Sequence, residues 1–352
     1  MTLRTLILLG LGLGLGLGAL PRAAASSRVI EADADLAREA QVARVAYLMG
    51  TRATLVTVDQ DRTRGAERLE RLLDVLEDTE AELSTWRDDS AITRLNRAPA
   101  GLPVVLPLPL CALFASLEYW TTETAGAFDP AVGPLSAAWG LHDRPRAPGA
   151  GEIDGARERS GWRHVGLDRQ RCRVTRAPGA SIDVGGFGKG EALDRAAVAM
   201  DDDTSAWMID LGGQVMVGRP PPDNEGWVID IADPRQRDRA VGSLILSSGS
   251  IATSGGSERD VRVNGRRVGH ILDPRTGRPA SYAGSVIVWH ERGLVADILS
   301  TALYVMGPVE GLNWANTHYV AAAYLWVDDE AVRVRASTLF SRRFGSVTHA
   351  TR

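Results

Sequence analysis

The chain has 352 residues, of which 44% are hydrophobic and 24% charged, with a formal net charge of −4 at pH 7. This is the composition of a globular protein of one or two domains, and its acidic balance leads us to expect no nucleic-acid partner. Two cysteines, Cys111 and Cys172, are too few for a disulfide framework. Export would permit a disulfide, but Cys111 lies in an apolar run, and we expect a buried free thiol there.

The first 25 residues have the pattern of a secretory signal peptide. Arg4 precedes an apolar stretch over 5–20, and Ala23-Ala24-Ala25 then leads to Ser26. This predicts cleavage near Ser26 and a soluble periplasmic or otherwise exported protein with net charge −6, because Arg4 and Arg22 are lost. The apolar stretch is too short and glycine-rich for a stable membrane span, and no cysteine near the cleavage point suggests a lipid anchor.

The first half of the mature chain alternates strand and helix patterns. β-Formers over 40–58 predict a strand region, and leucines at helical spacing predict a helix over 67–83. A second helix is predicted over 110–124. Residues 142–160 are rich in glycine, proline and charge, which predicts a surface loop with a short helix near its end. The segments 165–168 and 173–175 predict a short hairpin.

The second half contains more strands than helices, without a regular alternation, which favours an α+β fold. Asn264-Gly265 is a strong signal for a hairpin over 261–268. The other predicted elements are helices over 191–200, 296–306 and 311–316, strands over 207–217, 227–231, 244–252 and 285–289, and a final hairpin from 319–327 and 332–338.

A glycine-rich segment over 181–190, Ser-Ile-Asp-Val-Gly-Gly-Phe-Gly-Lys-Gly, lies between a predicted strand and a predicted helix. Its exposed backbone N–H groups would suit phosphate oxygens. It is not a P-loop, because Gly190 follows Lys189 where serine or threonine is required, and its glycines do not match G-x-G-x-x-G. A tight connection that needs glycine for backbone reasons is an equally good interpretation of this segment alone.

Asp297 and Thr301 are four residues apart in a predicted helix, so their oxygen atoms lie on one face. Oxygen ligands combined with substrate phosphate are what Mg²⁺ prefers. Together with the glycine-rich segment, this pair predicts a metal-assisted site for a phosphate-containing ligand.

Segments spread over much of the chain, in order, resemble the FAD:protein FMN transferases of the ApbE family. They are Met49-Gly50-Thr51, Leu83-Ser84-Thr85-Trp86 with Ser90, Gly126-Ala127-Phe128-Asp129-Pro130, Gly133-Pro134-Leu135, Trp139-Gly140, the run 183–194, Asp210-Leu211-Gly212-Gly213, Ala252-Thr253-Ser254-Gly255, the run 270–279, and Ala296-Asp297 with Thr301-Ala302-Leu303. The resemblance implies a single ApbE-type, T-fold-like α+β domain over 40–340, with mixed or antiparallel sheets and flanking helices, followed by a C-terminal tail over 341–352.

The resemblance also implies an activity and a site. The family moves FMN from FAD to a threonine or serine hydroxyl of a protein, releasing AMP, with Mg²⁺. The implied metal ligands are Asp297, Thr301 and the backbone carbonyl of Gly188. The implied FAD contacts are Met49, Trp86, Ala127, Phe128, Asp129, Asp183, Gly185, Lys189, Glu191 and Leu272. Glu191 departs from the family pattern, in which many members carry an aromatic residue.

His270 is the natural candidate for a general base, because its ordinary pKa lies near the working pH and an Asp-Pro turn follows it. The alternative is a structural histidine that braces this turn. We expect Asp273 to fix the turn, Arg275 and Arg278 to be solvated, and the remaining histidines to be structural, namely His142, His164, His290, His318 and His349.

Three functions are compatible with these residues. The first is the flavin transferase, acting on an exported acceptor protein. The second is an FAD pyrophosphatase, in which water replaces the hydroxyl at the same metal site. The third is a flavin-binding protein without activity, which intact Asp297, Thr301 and His270 disfavour because FAD binding alone needs no metal. Nothing in the sequence separates hydroxyl from water as the acceptor.

Overall fold

The computed structural model describes residues 41–200, 205–256, 261–263, 266–345 and 348–349. The predicted signal peptide and the Asn264-Gly265 turn lie outside these residues. The helices are Arg62–Leu83 (α1), Ala91–Arg97 (α2), Leu108–Glu123 (α3), Gly133–Ala138 (α4), Ala150–Arg159 (α5), Gly188–Val198 (α6), Gly293–Thr317 (α7) and Thr338–Phe344 (α8). The strands are Gln41–Leu48 (β1), Thr51–Val58 (β2), Val104–Val105 (β3), Val165–Asp168 (β4), Arg173–Arg176 (β5), Ala206–Leu211 (β6), Gln214–Val217 (β7), Trp227–Asp233 (β8), Gln236–Leu246 (β9), Gly249–Gly255 (β10), Val261–Val263 (β11), Arg266–Val268 (β12), Leu272–Asp273 (β13), Arg278–Pro279 (β14), Gly284–His290 (β15), Ala321–Asp328 (β16), Ala331–Ala336 (β17) and Thr348–His349 (β18).

An antiparallel sheet of eight strands, in the order β1-β2-β6-β7-β10-β15-β16-β17, organises the fold. Successive side chains of a strand point to opposite sides of the sheet. The central strands are buried on both faces because helices cover one side and a second layer of strands covers the other. In β15, Val286 and Val288 pack towards the helices, whereas Ile287 and Trp289 pack towards a second layer of strands. The expected α+β class with antiparallel sheets is therefore confirmed.

Helices α1, α6 and α7 cover one face of this sheet. Leu69, Leu72 and Leu76 of α1 recur at helical spacing and pack against α6 and strand β6. The Asp61 carboxylate caps the start of α1 by accepting from the Thr63 amide at 2.9 Å. Because Leu72 is fully buried, its replacement by alanine would cost about 2–5 kcal/mol.

Helix α7 is apolar on all sides because it lies between the sheet and a further cluster of helices. Val295 and Leu299 face the sheet, and Leu294 and Ile298 face that cluster. By length and composition it could cross a membrane, but 67% of its most apolar window is buried inside the protein, as in a core helix. A break at Gly307, with φ 73°, separates the two helices that the sequence predicts here.

The other face of the sheet packs against strands β8, β9 and β18 and against α8. The structure differs here from the predicted tail over 341–352. Phe340 and Phe344 of α8 contact this core, and Thr348 and His349 pair with β9. Helix α8 therefore packs on this core as far as Phe344, and the tail over 341–352 otherwise stays a prediction.

A third region holds helices α2 to α5 and the small sheet β3-β5-β4. Here the expectation of a free thiol at Cys111 is wrong, because Cys111 and Cys172 form a disulfide with their Cα atoms 5.3 Å apart. Cys111 lies in α3 and Cys172 in the β4–β5 turn, which packs against that helix. The 61-residue separation concealed this proximity.

Two predicted strands are each two strands in the structure. The segment 207–217 turns at Gly212 and Gly213, both with positive φ, and returns as the β6–β7 hairpin. The segment 244–252 leaves β9 after Leu246 and enters the main sheet as β10 at Gly249. In both cases apolar residues continue across a tight turn. The predicted strand region over 40–58 is likewise two strands, β1 and β2. Helices α2 and α4, strands β3, β13, β14 and β18, and the first half of β9 were not predicted; the other predicted elements are confirmed within a few residues.

Candidate functional site

A cleft of about 1120 Å³ opens at one end of the main sheet. Residues from the β1–β2 turn, the end of α1, the glycine-rich segment, α7 and the segment before β13 line it. Of the predicted site residues, all of them described by the structure, it brings together His270, Met49, Trp86, Ala127, Phe128, Asp129, Asp183, Gly185, Lys189, Leu272, Gly188, Asp297 and Thr301. Side chains spread over 250 positions of sequence thus meet around one cavity.

Glu191 is the exception, since it does not line the cleft. Its carboxylate accepts a hydrogen bond from Arg195 Nε at 2.7 Å, and Arg195 Nη1 also binds Glu82 Oε2 at 2.6 Å. Burial raises the pKa of Glu191, although the ion pair with Arg195 opposes this. Glu191 thus belongs to a partly buried ion-pair network, and its contact with FAD stays a prediction.

The Gly-rich loop, residues 183–187, runs directly into helix α6. The N-cap residue Phe187 supplies no side-chain hydrogen bond, the Asp297 carboxylate accepts from the Gly190 amide in the first turn, and the first residue Gly188 lines the cleft. A β-carbon on Gly186 would come within 3.3 Å of Phe128 Cε2 and 3.4 Å of Thr301 Oγ1, so glycine leaves space between these side chains. The positive end of a helix dipole beside open space favours a phosphate group.

Helices α6 and α7 touch beside this loop, and the contact requires glycine. A β-carbon on Gly190 would overlap the Gly293 carbonyl oxygen and lie 2.8 Å from Asp297 Cβ. Asp297 is only 3% exposed. Its Oδ1 accepts from Lys189 Nζ at 3.2 Å, and its Oδ2 accepts from the Gly190 amide at 2.9 Å. These two hydrogen bonds offset the desolvation cost of burying the Asp297 carboxylate.

Thr301 lies one turn after Asp297, and both residues line the cleft, as their spacing predicts. Among the described residues no three His, Cys, Asp or Glu side chains group as a metal site. The cleft does contain the predicted ligands: the Asp297 carboxylate, the Thr301 hydroxyl and Gly188, whose backbone carbonyl the family resemblance implies as the third ligand. This all-oxygen set fits Mg²⁺, which one or two carboxylates and substrate phosphates commonly hold in proteins.

Asp183 anchors the other end of the Gly-rich loop. Its Oδ1 accepts from the Gly185 amide at 2.8 Å, and its Oδ2 is 2.7 Å from His142 Nε2. Burial works to raise the pKa of Asp183, but His142, the Ser136 hydroxyl and the Gly185 amide hold that pKa below its ordinary value. The carboxylate is therefore charged and braces the loop.

His142 is a cleft residue that the sequence did not indicate. Its ring lies edge-on to Trp86, with ring centroids 5.6 Å apart. Trp86 is 71% exposed, so it is a ring available for stacking and not a core residue. The other lining residues that sequence patterns did not single out include Arg52, Arg237 and Leu141.

Asp129 and Met49 are held by backbone bonds. The two Asp129 oxygens accept from the Ala131 and Trp162 amides, each at 2.8 Å, and burial raises the pKa of this carboxyl. Met49 has a left-handed φ of 51°, and its amide donates to Glu80 Oε1 at 2.8 Å. Both residues are fixed at the cleft wall before any ligand binds.

His270 lines the cleft just before a tight turn. Asp273 fixes this turn, as expected, because its Oδ1 accepts from the Arg275 amide at 2.9 Å and its carbonyl from the Gly277 amide at 2.8 Å. Arg275 also pairs with Asp273 and Glu310 and lies outside the cleft. A turn fixed by these bonds thus follows three residues after His270.

The structure is an α+β protein in which the residues predicted for a phosphate-containing ligand meet in one cleft, and comparison with known proteins identifies its family. The family model described as ApbE family matches residues 49–325. The FAD:protein FMN transferase of Salmonella typhimurium is 30% identical over 301 residues, covering 83% of this chain and 86% of that protein. The protein of the same name from Escherichia coli K12 is 29% identical, covering 74% and 77%. The chain belongs to the ApbE family.

Solved structures agree with this assignment. The crystal structure of the ApbE protein from Thermotoga maritima superposes with a TM-score of 0.80 at 30% identity, covering 86% of this chain and 99% of that one. The Pseudomonas stutzeri flavinyl transferase ApbE gives a TM-score of 0.76 at 27% identity, covering 87% and 97%. The expected ApbE-type fold is confirmed.

Proposed function

We propose that this protein is an FAD:protein FMN transferase, which moves FMN from FAD to a threonine or serine hydroxyl of an acceptor protein and releases AMP. Its curated relatives carry that name. The observation that carries the proposal is the meeting of Asp297 and Thr301 with the Gly-rich loop and the first residues of α6 in one cleft. This is the place where a pyrophosphate would be bound and polarised.

In this reaction the acceptor oxygen attacks the phosphorus of the FMN half. The bond from that phosphorus to the bridging oxygen breaks, and AMP leaves with the bridging oxygen. Asp297, Thr301 and the Gly188 carbonyl would hold Mg²⁺, which supplies charge neutralisation when bound. The Gly-rich loop and α6 orient the phosphates, and Trp86 offers its face to a planar ring.

His270 would accept the proton of the attacking hydroxyl. We expect His270→Ala to lower single-turnover transfer by about 10²–10⁴-fold, the usual range for a general base, while FAD affinity changes much less. His318→Ala is a matched control, because His318 stacks on Trp314 away from the cleft. Proportional loss of rate, FAD affinity and melting temperature would indicate that His270 only braces the turn.

The decisive experiment is incubation with FAD, Mg²⁺ and a candidate acceptor protein, followed by mass spectrometry of the acceptor and analysis of free nucleotides. If transfer occurs, the acceptor should become heavier by one FMN moiety. One AMP should be released for each transfer event. Free FMN and AMP with an unmodified acceptor would instead indicate an FAD pyrophosphatase. Unchanged FAD at every Mg²⁺ concentration would leave only flavin binding and would refute the transferase.

We also propose that the protein acts outside the cytoplasm. The support is the signal-peptide pattern over 1–25 and the Cys111–Cys172 disulfide, a bond that persists mainly in oxidising compartments. N-terminal sequencing of exported protein should give a first residue at or near Ser26. An intact Met1 in a cytoplasmic fraction would refute this location.

A further inference from the structure

Lys189 is the single lysine of this chain, in which all other members of the 40 Lys and Arg residues are arginine. Position 189 therefore differs from every other basic position. An ammonium is a compact point charge on a flexible stem, whereas a guanidinium is a planar fork that grips a carboxylate with two parallel bonds. The one position with an ammonium is the position that contacts Asp297.

Two other buried carboxylates, Asp233 and Asp59, are each held by the fork of one arginine. Asp233, with a side chain 1% exposed, receives Arg235 Nε at 3.0 Å and Nη2 at 2.8 Å. Asp59, 5% exposed, receives Arg64 Nε at 2.9 Å and Nη2 at 2.6 Å. Each carboxylate is held on both of its oxygen atoms by one arginine. Each of these ion pairs is therefore held at two points.

Asp297 is equally buried but is held in another way. Lys189 Nζ contacts only Oδ1, at 3.2 Å, and the Gly190 amide takes Oδ2. The Lys189 side chain is 23% exposed and lines the cleft. A single-point contact to a side chain with open space beside it can be released without moving either helix.

We propose that Lys189 is an exchangeable counter-ion. It pairs with Asp297 in the absence of a metal ion, gives up Oδ1 when a divalent cation binds there, and turns its ammonium towards the substrate phosphates. The inference rests on the metal site of the proposed function. It makes Lys189 a positioning residue with two partners, which explains why a guanidinium fork does not occupy this position.

The first test measures Mg²⁺ alone by isothermal titration calorimetry with the wild-type protein and Lys189→Met. If Lys189 competes with the metal, its removal should tighten Mg²⁺ binding by about tenfold, since a hydrogen bond to a charged group is worth roughly that factor. Arg44→Met is the matched control: it removes one cation from an exposed pair with Glu70 outside the cleft and should leave Mg²⁺ affinity unchanged. Equal or weaker binding in Lys189→Met would overturn the proposal.

A second test uses the wild-type protein alone. It can therefore be carried out even if Lys189→Met does not fold. Because the chain has one lysine, an amine-selective acetylating reagent modifies only Lys189 and the α-amino group, and peptide mass spectrometry separates the two. Saturating Mg²⁺ alone should speed acetylation of Lys189 relative to the α-amino group, since the side chain is released into the cleft. An unchanged or slower relative rate would mean that Lys189 is a fixed brace.

These outcomes separate the inference from the proposed function. Metal competition without FMN transfer would support the counter-ion and refute the transferase. FMN transfer and wild-type Mg²⁺ binding, without a gain in Lys189→Met, would overturn the counter-ion alone. The absence of Mg²⁺ binding in both proteins would overturn the metal site, and the counter-ion with it.

Discussion

Asp183 and Asp297 are both buried, and both line the cleft at the Gly-rich loop, yet they are held differently. Asp183 is bonded by His142, Ser136 and the Gly185 amide, which come from a loop, a short helix and its own turn. Among the described residues, the Asp297 carboxylate is bonded by Lys189 and Gly190 at the start of α6. The first arrangement ties three segments together, and the second keeps a charge beside open space.

The comparison teaches that burial and charge alone do not mark a metal ligand. A carboxylate whose partners are spread over several elements stabilises the fold around it. A carboxylate with one flexible cationic partner retains an oxygen that another cation can take. We therefore expect substitutions at Asp297 to change chemistry, and substitutions at Asp183 to change stability.

The largest effect is expected for Asp297→Asn, which keeps the shape of the side chain and removes the one charged ligand proposed. Mg²⁺ affinity and transfer should fall together, with transfer lower by about 10²–10³-fold, as for loss of one electrostatic element of an active site. FAD should still bind through its rings. Calorimetric Mg²⁺ titration and single-turnover transfer measure both quantities.

Thr301→Ala should lower Mg²⁺ affinity and transfer less than Asp297→Asn does, because a neutral hydroxyl binds Mg²⁺ more weakly than a carboxylate. Full activity of Asp297→Asn at low Mg²⁺ would contradict the assignment. It would also remove the distinction between Asp297 as a metal ligand and Asp183 as a residue that stabilises the fold.

The sequence made one carboxylate of this pair far easier to interpret than the other. Asp297 and Thr301 are four apart on one helix, so their common face follows from helical geometry. The role of His142 depends on a loop that meets Asp183 across 41 residues of sequence. No local pattern encodes such a contact, and the same limit concealed the Cys111–Cys172 disulfide.

The fold shows the same division. Leucine spacing in α1 and the apolar runs of the strands were sufficient to predict most elements. The order of the sheet, in which β2 pairs with β6 and β10 with β15, depends on pairing between distant strands. The missed β6–β7 turn did carry a local signal, because two glycines with positive φ suit a two-residue hairpin. The flanking apolar residues outweighed it.

A smaller effect is expected for Asp183→Asn. The amide keeps the side-chain volume but cannot accept from both His142 and the Gly185 amide on two oxygen atoms. The free energy of unfolding should fall by about 1–3 kcal/mol, the cost of a lost hydrogen bond to a buried charge. Mg²⁺ affinity should stay within a few fold of wild type. Urea unfolding and calorimetry test the two statements, and a loss of Mg²⁺ binding without a loss of stability would reverse the roles of the two carboxylates.

The smallest expected effect is a change with pH in the difference in unfolding free energy between wild type and Asp183→Asn. His142, Ser136 and the Gly185 amide hold the pKa of Asp183 below its ordinary value despite burial. A carboxyl group with a lowered pKa in the folded state adds stability above its unfolded pKa of about 3.9, and loses it as the pH falls through the folded value. The stability advantage of wild type over Asp183→Asn should therefore be fully present near pH 6 and shrink below about pH 4. Urea unfolding of both proteins at pH 6 and at the lowest pH where they fold measures this change. An advantage that grows on acidification would mean that Asp183 is protonated in the folded protein, and that His142 does not hold it charged.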